Sequence, residues 1–163
     1  MTTRALLAAF ALLLMTGNAQ AQQPRPEAGD FFGIIYGVCL EECPVFRIYL
    51  FSDDTLVYEG QSHVAKMGRH KIKAPEGSFQ AVVHQLQTIG FSDYERNYSP
   101  GNEVNCGDYT TDQPSVTLQL RHERVNMTLY LNTGCQGFEG DYELYAAIAG
   151  IEDIPDVYNW INE

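Results

Sequence analysis

Residues 31–60 read FFGIIYGVCLEECPVFRIYLFSDDTLVYEG, and this stretch decides the fold. It holds three short runs rich in apolar and aromatic residues, at Phe31–Val38, Val45–Phe51 and Thr55–Tyr58. Runs of this kind, bounded by turn-forming residues such as Asp53 and Asp54, are typical of β-strands. The stretch therefore predicts a meander of three strands.

A fourth strand and a helix are predicted after the meander. Arg69–Lys73 alternates polar and apolar residues, as an edge strand does, and its lysines discourage pairing with other chains. After Lys73 the spacing of apolar residues changes from that of a strand to that of a helix. One stripe of an amphipathic helix is formed by Phe79, Val82, Val83, Leu86 and Ile89. Pro75 suits the first helical position and Gly90 the position after the end, so we predict a helix over 74–89.

The second half of the chain continues with a long irregular segment and a second hairpin. Ser92–Gln113 is too long to be a mere connection, so it is expected to be functional or tied down. Val116–Leu120 and Met127–Leu131 are alternating runs separated by the polar residues His122, Glu123 and Arg124. They predict a β-hairpin.

A second helix is predicted near the C-terminus and ends before Pro155. Its stripe consists of Tyr142, Tyr145, Ile148, Ala149 and Glu152. Val157–Ile161 is expected to add a turn that buries Trp160. The resulting order β-β-β-β-α-β-β-α has no regular strand–helix alternation, which predicts an α+β fold with a mainly antiparallel sheet in one domain over 30–163.

The N-terminus has the three parts of an export signal. Arg4 is followed by the apolar run Ala5–Met15, which is far shorter than the about 20 residues that a membrane-spanning helix needs. Small residues at Ala19 and Ala21 suit cleavage after Ala21. We predict a signal peptide over 1–21 and a flexible leader over 22–29, and hence an exported protein that is periplasmic or secreted.

The chain that remains after cleavage is strongly acidic. It retains all 21 Asp and Glu residues and nine of the ten Lys and Arg residues, a net charge of −12. This charge argues against nucleic acid and anionic membranes as partners, and permits a basic secreted or envelope protein, such as a lysozyme-like hydrolase. We expect a monomer. The candidate binding carboxylates are Glu41, Glu42, Glu103, Asp108 and Asp112.

No motif in the sequence indicates catalysis or a cofactor. Gly-x-Ser-x-Gly, phosphate-loop and His-Glu-x-x-His patterns are absent. The four histidines and four cysteines do not have the spacing of a zinc site, and the acidic loop lacks the regular spacing of a calcium loop. The expectation is a binding or envelope-associated accessory domain, with no catalytic residue, cofactor or metal ligand assigned.

Four segments together resemble the exported bacterial family known as domain of unknown function 6438. They are the Cys-x3-Cys-Pro-x-aromatic segment at 39–46, the Asp-x-Thr-x-x-Tyr-x-Gly hairpin at 53–60, the helix end Gly90-Phe91, and residues 111–114 before a strand. This chain has Glu41 and Asp54 at two positions where the family usually has glycine. The resemblance covers most of residues 34–161, and it implies a fold and a compartment but no catalytic residue.

The four cysteines allow three pairings in an oxidising compartment. The resemblance favours Cys39 with Cys43, because the family segment holds these two together. Cys106 and Cys135 then form a pair that looks peculiar to this chain. The alternative for Cys39 and Cys43 is a thiol–disulfide redox or metal-binding function, although Glu41 and Glu42 between them would raise the thiol pKa.

Overall fold

The computed structural model describes residues 29–40, 42–101, 105–152 and 154–162. The predicted signal peptide and all of the predicted leader except Gly29 lie outside the described residues, as do Glu41 and Glu103. The elements in chain order are β1 (Phe31–Tyr36), β2 (Val45–Phe51), β3 (Thr55–Ser62), β4 (Gly68–Lys73), α1 (Ser78–Thr88), a 3₁₀ turn (Phe91–Asp93), β5 (Asn97–Tyr98), β6 (Asp108–Tyr109), β7 (Ser115–His122), β8 (Val125–Asn132), β9 (Cys135–Gln136), α2 (Asp141–Glu152) and α3 (Pro155–Asn162).

The main sheet of the described residues has the strand order β4-β3-β2-β1-β7-β8-β5. All neighbouring pairs are antiparallel except β5 with β8. The predicted meander and the predicted second hairpin are both present, and β1 joins them by pairing with β7. The predicted α+β class with a mainly antiparallel sheet is confirmed.

One face of the sheet is covered by helices and forms the core. Alternate strand residues point to this face, and Ile34, Ile48, Leu56, Leu118 and Leu129 are completely or almost completely buried there. Helix α1 contributes Phe79, Val83 and Leu86. Helix α2 contributes Leu144, Ala147, Ile148 and Ile151, whereas Tyr142 and Ala149 of the predicted stripe are exposed. The stripe predicted for this helix is therefore wrong in part.

The opposite face of the sheet carries much of the positive charge of the protein. The strand register places Phe31, Gly33 and Ile35 in rows with Phe51, Tyr49 and Arg47 of β2. The same face receives five of the nine basic residues that follow residue 21, namely Arg47, Arg69, Lys71, Lys73 and Arg121. The acidity of the chain is therefore not spread evenly over its surface.

The short and irregular elements differ most from the predictions. Strands β5, β6 and β9 have two residues each and lie in segments for which the sequence predicts irregular structure or a loop. The predicted turn near the C-terminus is the two-turn helix α3, in which Trp160 is half-buried. Its ring packs 5.2 Å from that of Tyr58 and 5.4 Å from that of His70. These elements depend on partners far away in sequence, so local periodicity does not predict them.

Helix α1 begins three residues later than the predicted position at Pro75, because a distant carboxylate caps it. Gly77 precedes the first helical residue and has no side chain with which to cap. Instead, the carboxylate of Asp54 accepts hydrogen bonds from the Gly77 N–H at 2.8 Å and the Phe79 N–H at 2.9 Å. Asp54 has a φ of +59°, a backbone conformation that glycine adopts readily and that aspartate tolerates. An aspartate can therefore occupy the position where the family usually has glycine, and its side chain then caps α1.

Substitution of Asp54 tests this cap. We expect Asp54→Ala to lower the free energy of unfolding by about 2 kcal/mol, since two helix N–H groups lose their acceptor and alanine is strained at positive φ. Asp54→Asn is expected to cost less, because asparagine tolerates this conformation and keeps an acceptor oxygen. Urea denaturation measures both. Equal stability of the alanine variant and the unsubstituted protein would contradict the capping role.

Candidate functional site

The structure contains two disulfides in its described residues, with the pairing that the family resemblance favours. Cys39–Cys43 closes the loop between β1 and β2, where the Cα atoms are 5.8 Å apart. In that loop Val38 and Leu40 are 76% and 86% exposed. Cys106–Cys135 joins the irregular segment to β9 with a Cα separation of 4.9 Å, and both of its cysteines are buried.

The irregular segment is tied down at several points, as the sequence analysis allowed. Besides the disulfide, Tyr109 pairs with Cys135 in the β6–β9 ribbon, and the Thr110 N–H donates to the Gly134 carbonyl at 2.9 Å. The Tyr145 hydroxyl of α2 donates to the Cys135 carbonyl at 3.0 Å. The disulfide thus belongs to a small unit that is linked at several points and bonded to α2.

Beside this unit lies a groove of about 750 Å³, which we call the acidic groove. It runs between the end of α1, the segment from Asp93 to Tyr98, and the loop that leads into α2. Four of its lining residues are carboxylates, Asp93, Glu95, Glu139 and Glu143, and none of its described lining residues is basic. A groove with this lining has a negative potential that attracts cations.

Aromatic rings give the acidic groove a firm wall. The rings of Tyr98 and Phe138 lie 4.2 Å apart, and Tyr94 is 6.5 Å from Tyr98. The Tyr94 hydroxyl donates to the Gly140 carbonyl at 2.8 Å, which joins the two sides of the groove. A Cβ atom at Gly140 would overlap this hydroxyl, and Gly140 also has a φ of +80°, so glycine is required here.

The pKa of Tyr94 is affected by the carboxylates around the acidic groove. Burial raises the pKa of Tyr94, and the carboxylates of Glu143, Asp141 and Glu139 raise it further. The hydroxyl therefore stays protonated and keeps its bond to Gly140 at neutral pH. A cation on a partner would meet carboxylates together with aromatic faces, and both attract ammonium and guanidinium groups.

The acidic groove is not built from the carboxylates that the sequence analysis named. Glu42, Asp108 and Asp112 are exposed and do not line it. Glu41 and Glu103 lie outside the described residues, so the structure does not place them. Of the groove carboxylates, Asp93 and Glu95 belong to the irregular segment Ser92–Gln113, which the sequence predicts to be functional or tied down. No motif or spacing in the sequence distinguishes Glu139 or Glu143 from other surface carboxylates, since only the packing of α2 brings them to the acidic groove.

The family-like hairpin at 53–60 has a structural explanation. Asp53 accepts hydrogen bonds from the Thr55 N–H at 3.0 Å and the Thr55 hydroxyl at 2.9 Å, and these bonds lower the pKa of Asp53. The Tyr58 hydroxyl donates to the Trp160 carbonyl of α3 at 3.2 Å. A Cβ at Gly60 would overlap the Lys66 carbonyl oxygen. The motif residues shape a turn and hold α3, and none of them faces the acidic groove.

The structure also bears on metal binding and on membrane insertion. Within the described ranges, no group of three or more His, Cys, Asp or Glu side chains is arranged to hold a metal ion. In the same part of the chain, none of the helices has both the length and the apolar character needed to cross a membrane.

A family model matches most of the chain. The family model described as Domain of unknown function (DUF6438) matches residues 32–154. The matched residues include both disulfides, the hairpin at 53–60 and every described residue that lines the acidic groove. No curated protein matches the chain.

Proposed function

The chain belongs to the family described as Domain of unknown function (DUF6438), and from this premise we propose that it is an exported, non-enzymatic binding domain whose acidic groove takes up a basic segment of a partner protein. The observation that carries the proposal is the lining of the groove: four carboxylates, an aromatic wall and no basic residue among those described.

Export is supported by the sequence and by the disulfides. The N-terminal signal predicted over 1–21 would deliver the chain to an oxidising compartment. Disulfides form and persist in such compartments and are rare in the cytosol. Two of them in a chain of this length agree with export to the periplasm or beyond the cell.

A protein partner suits the acidic groove better than a small ion does. The four carboxylates of the groove come from two segments of the chain, at 93–95 and at 139–143, so the groove matches an extended segment with several Lys or Arg side chains. Their aliphatic stems can pack on the half-buried Tyr94 ring while the charged ends meet the carboxylates. Such attraction raises the association rate and weakens steeply as salt is added.

Binding of a basic hydrolase tests the proposal. We expect the mature protein to bind a lysozyme-like hydrolase in about 20 mM salt and much more weakly in about 200 mM salt, because salt screens the charges. The double variant Glu139→Gln/Glu143→Gln is expected to lower the affinity roughly tenfold, since both carboxylates are exposed and each exposed charge pair contributes up to about 1 kcal/mol. Isothermal titration calorimetry measures both effects, and inhibition of the hydrolase is followed in parallel.

A matched control removes the same charge elsewhere. Asp108→Asn/Asp112→Asn changes two exposed carboxylates outside the acidic groove, so it should leave the affinity within about twofold. If both double variants weaken binding equally, the attraction is only that of the net charge and the groove is not the site. If the control variant alone weakens binding, the site is the loop that the sequence analysis named.

The alternative is a redox or metal-binding function centred on Cys39 and Cys43. No observation in the described residues favours it over the acidic groove, and it stays a prediction. Its test is part of the comparison of the two disulfides described in the Discussion.

A further inference from the structure

Strand β4 (Gly68–Lys73) forms one edge of the main sheet. In the part of the chain that the structure describes, β3 is the only strand beside it. The Ala74 N–H, directly after β4, donates to the Asp54 carbonyl on the side of β3 at 2.9 Å. Backbone groups point to alternate sides along a strand, so the N–H and C=O groups of every second residue before Ala74 face β3. The other residues direct these groups away from the sheet, and we call them the basic edge: Arg69, Lys71 and Lys73.

The basic edge also carries the positive charge of β4. Its three side chains are exposed and share the sheet face opposite the helices. Alternate residues of a strand are about 6.8 Å apart, so the charges form a regular row. Lys73 pairs with Asp53 Oδ2 at 3.5 Å. Glu59 of β3 lies opposite Arg69 in the register, but no ion pair among the described residues involves Arg69 or Lys71, so two cations of the row are available to an acidic partner.

The side of β4 that faces the helices is partly apolar. His70 and Ile72 are half-buried there, and the His70 ring lies 5.4 Å from that of Trp160. Ile72 packs against the buried core. A strand added beside β4 would therefore meet cations on one face and apolar groups on the other. Between the two faces it would meet backbone groups that have no strand partner among the described residues.

We propose that β4 binds an extended acidic segment of a partner protein, which adds to the sheet as a further antiparallel strand. The backbone of the segment pairs with the outward N–H and C=O groups of the basic edge. Residues directly opposite each other in an antiparallel pair have their side chains on the same face. An acidic residue at every second position of the segment therefore lies opposite each cation of the basic edge, and the intervening apolar residues lie beside His70 and Ile72.

The charge of the basic edge selects this partner against a second copy of the chain. Two copies of β4 paired with each other would bring like charges together, which is destabilising. An acidic strand instead gains from every cation of the row, and its backbone fills the open edge. The acidic groove shares no residue with β4, so the two proposals concern separate surfaces and partners of opposite charge.

Amide hydrogen exchange, followed by NMR, tests the proposal with the peptide acetyl-Thr-Glu-Val-Glu-Val-Glu-Thr-amide. In the free protein we expect the amides of Arg69, Lys71 and Lys73 to exchange fast, because they face solvent. At a peptide concentration about tenfold above the Kd, their exchange should slow at least about fivefold. The Kd should be about 1 mM or tighter in about 20 mM salt. A peptide of the same composition with its three Glu residues contiguous should bind at least about tenfold more weakly.

Methylation of the peptide backbone separates strand pairing from charge attraction. N-methylation of the central Glu removes an N–H that faces β4 and should weaken binding at least about tenfold. N-methylation of one Val removes an N–H that faces solvent, and it should change the affinity by no more than about twofold. Both methylated peptides keep all three charges. Equal losses for the two peptides, or a loss for the Val peptide alone, would overturn the proposal.

Variants of the protein provide matched controls for the charge. Arg69→Gln/Lys71→Gln should weaken binding roughly tenfold. Arg96→Gln/Arg124→Gln removes two exposed cations outside β4 and should leave the affinity within about twofold. Equal effects of the two pairs would overturn the proposal, as would unchanged exchange of the basic-edge amides with peptide present.

A last control separates this proposal from the proposed function. Glu139→Gln/Glu143→Gln alters the acidic groove alone and should leave the affinity for the acidic peptide within about twofold. Failure of peptide binding at β4 and failure of the groove to bind a basic hydrolase are therefore separate results. A dimer of the free protein that protects the amides of the basic edge would overturn the proposal, because a second copy would then occupy the edge.

Discussion

Replacing both Cys106 and Cys135 with alanine is expected to lower the free energy of unfolding by about 3.7 kcal/mol, because the crosslink removes the loop-closure entropy of about 30 residues from the unfolded chain. The two cysteines are separated by 29 residues in sequence and are both buried. The variant also loses an anchor of the β6–β9 ribbon, so amide exchange of Asp108 and Tyr109 should become faster. Urea denaturation and hydrogen exchange measure the two effects.

The Cys39–Cys43 disulfide provides the matched comparison. It closes a much shorter loop, with a sequence separation of 4, and the same entropy relation gives about 2 kcal/mol for its removal. Similar losses for the two alanine pairs would show that loop closure does not control the effect. If Cys39→Ala/Cys43→Ala abolishes thiol–disulfide exchange with glutathione while stability is retained, the result favours the redox alternative over a structural role for this disulfide.

Replacing Gly60 with alanine is expected to lower the free energy of unfolding by about 3 kcal/mol, because the added methyl group has no space. The new Cβ would overlap the Lys66 carbonyl oxygen and would lie 2.8 Å from Val64 Cγ2 and 2.9 Å from the Tyr58 hydroxyl. The obstruction includes backbone and is not the end of a flexible side chain. The Lys66 N–H also donates to the Trp160 carbonyl at 2.9 Å, so a shift of this segment disturbs α3 as well.

Gly150→Ala is the matched control, since it adds the same methyl group to another glycine. Gly150 is exposed within α2, and its added Cβ would make only an ordinary contact of 3.8 Å with Gln85 Oε1. Alanine is the better helix former, so this variant should be more stable by about 0.5–1 kcal/mol. Thermal and urea denaturation of the two variants should therefore move in opposite directions. A Gly60→Ala variant as stable as the unsubstituted protein would show that the segment around Lys66 adapts freely.

The elements that the sequence predicted correctly are those held by local patterns. Helix α1 has an apolar stripe at helical spacing, and Gly90 follows its end. The β7–β8 hairpin alternates along both strands and turns at Glu123 and Arg124, which separate them. Such periodicity is a property of a few neighbouring residues, so it can be recognised without knowing what the element packs against.

The predictions are wrong where a contact with residues far away in sequence determines where a helix begins or which of its faces is buried. The start of α1 depends on Asp54, whose carboxylate accepts a hydrogen bond from the N–H of Gly77, 23 residues later in the chain. The buried stripe of α2 includes Leu144 and Ile151 because of the way in which this helix packs on the sheet. Nothing in the local sequence around either helix contains this information.

The sequence by itself determined the α+β class, the meander, the main helix, the family and the acidity of the chain, because each is carried by composition or by contiguous residues. Only the tertiary structure decided that β1 pairs with β7, that five basic residues gather on one sheet face, and that Asp93, Glu95, Glu139 and Glu143 line one groove. It likewise brought Glu152 to Tyr36 from more than a hundred residues away along the chain. Binding sites depend on side chains that meet through the packing of distant segments, and one sequence specifies such meetings only through the fold as a whole.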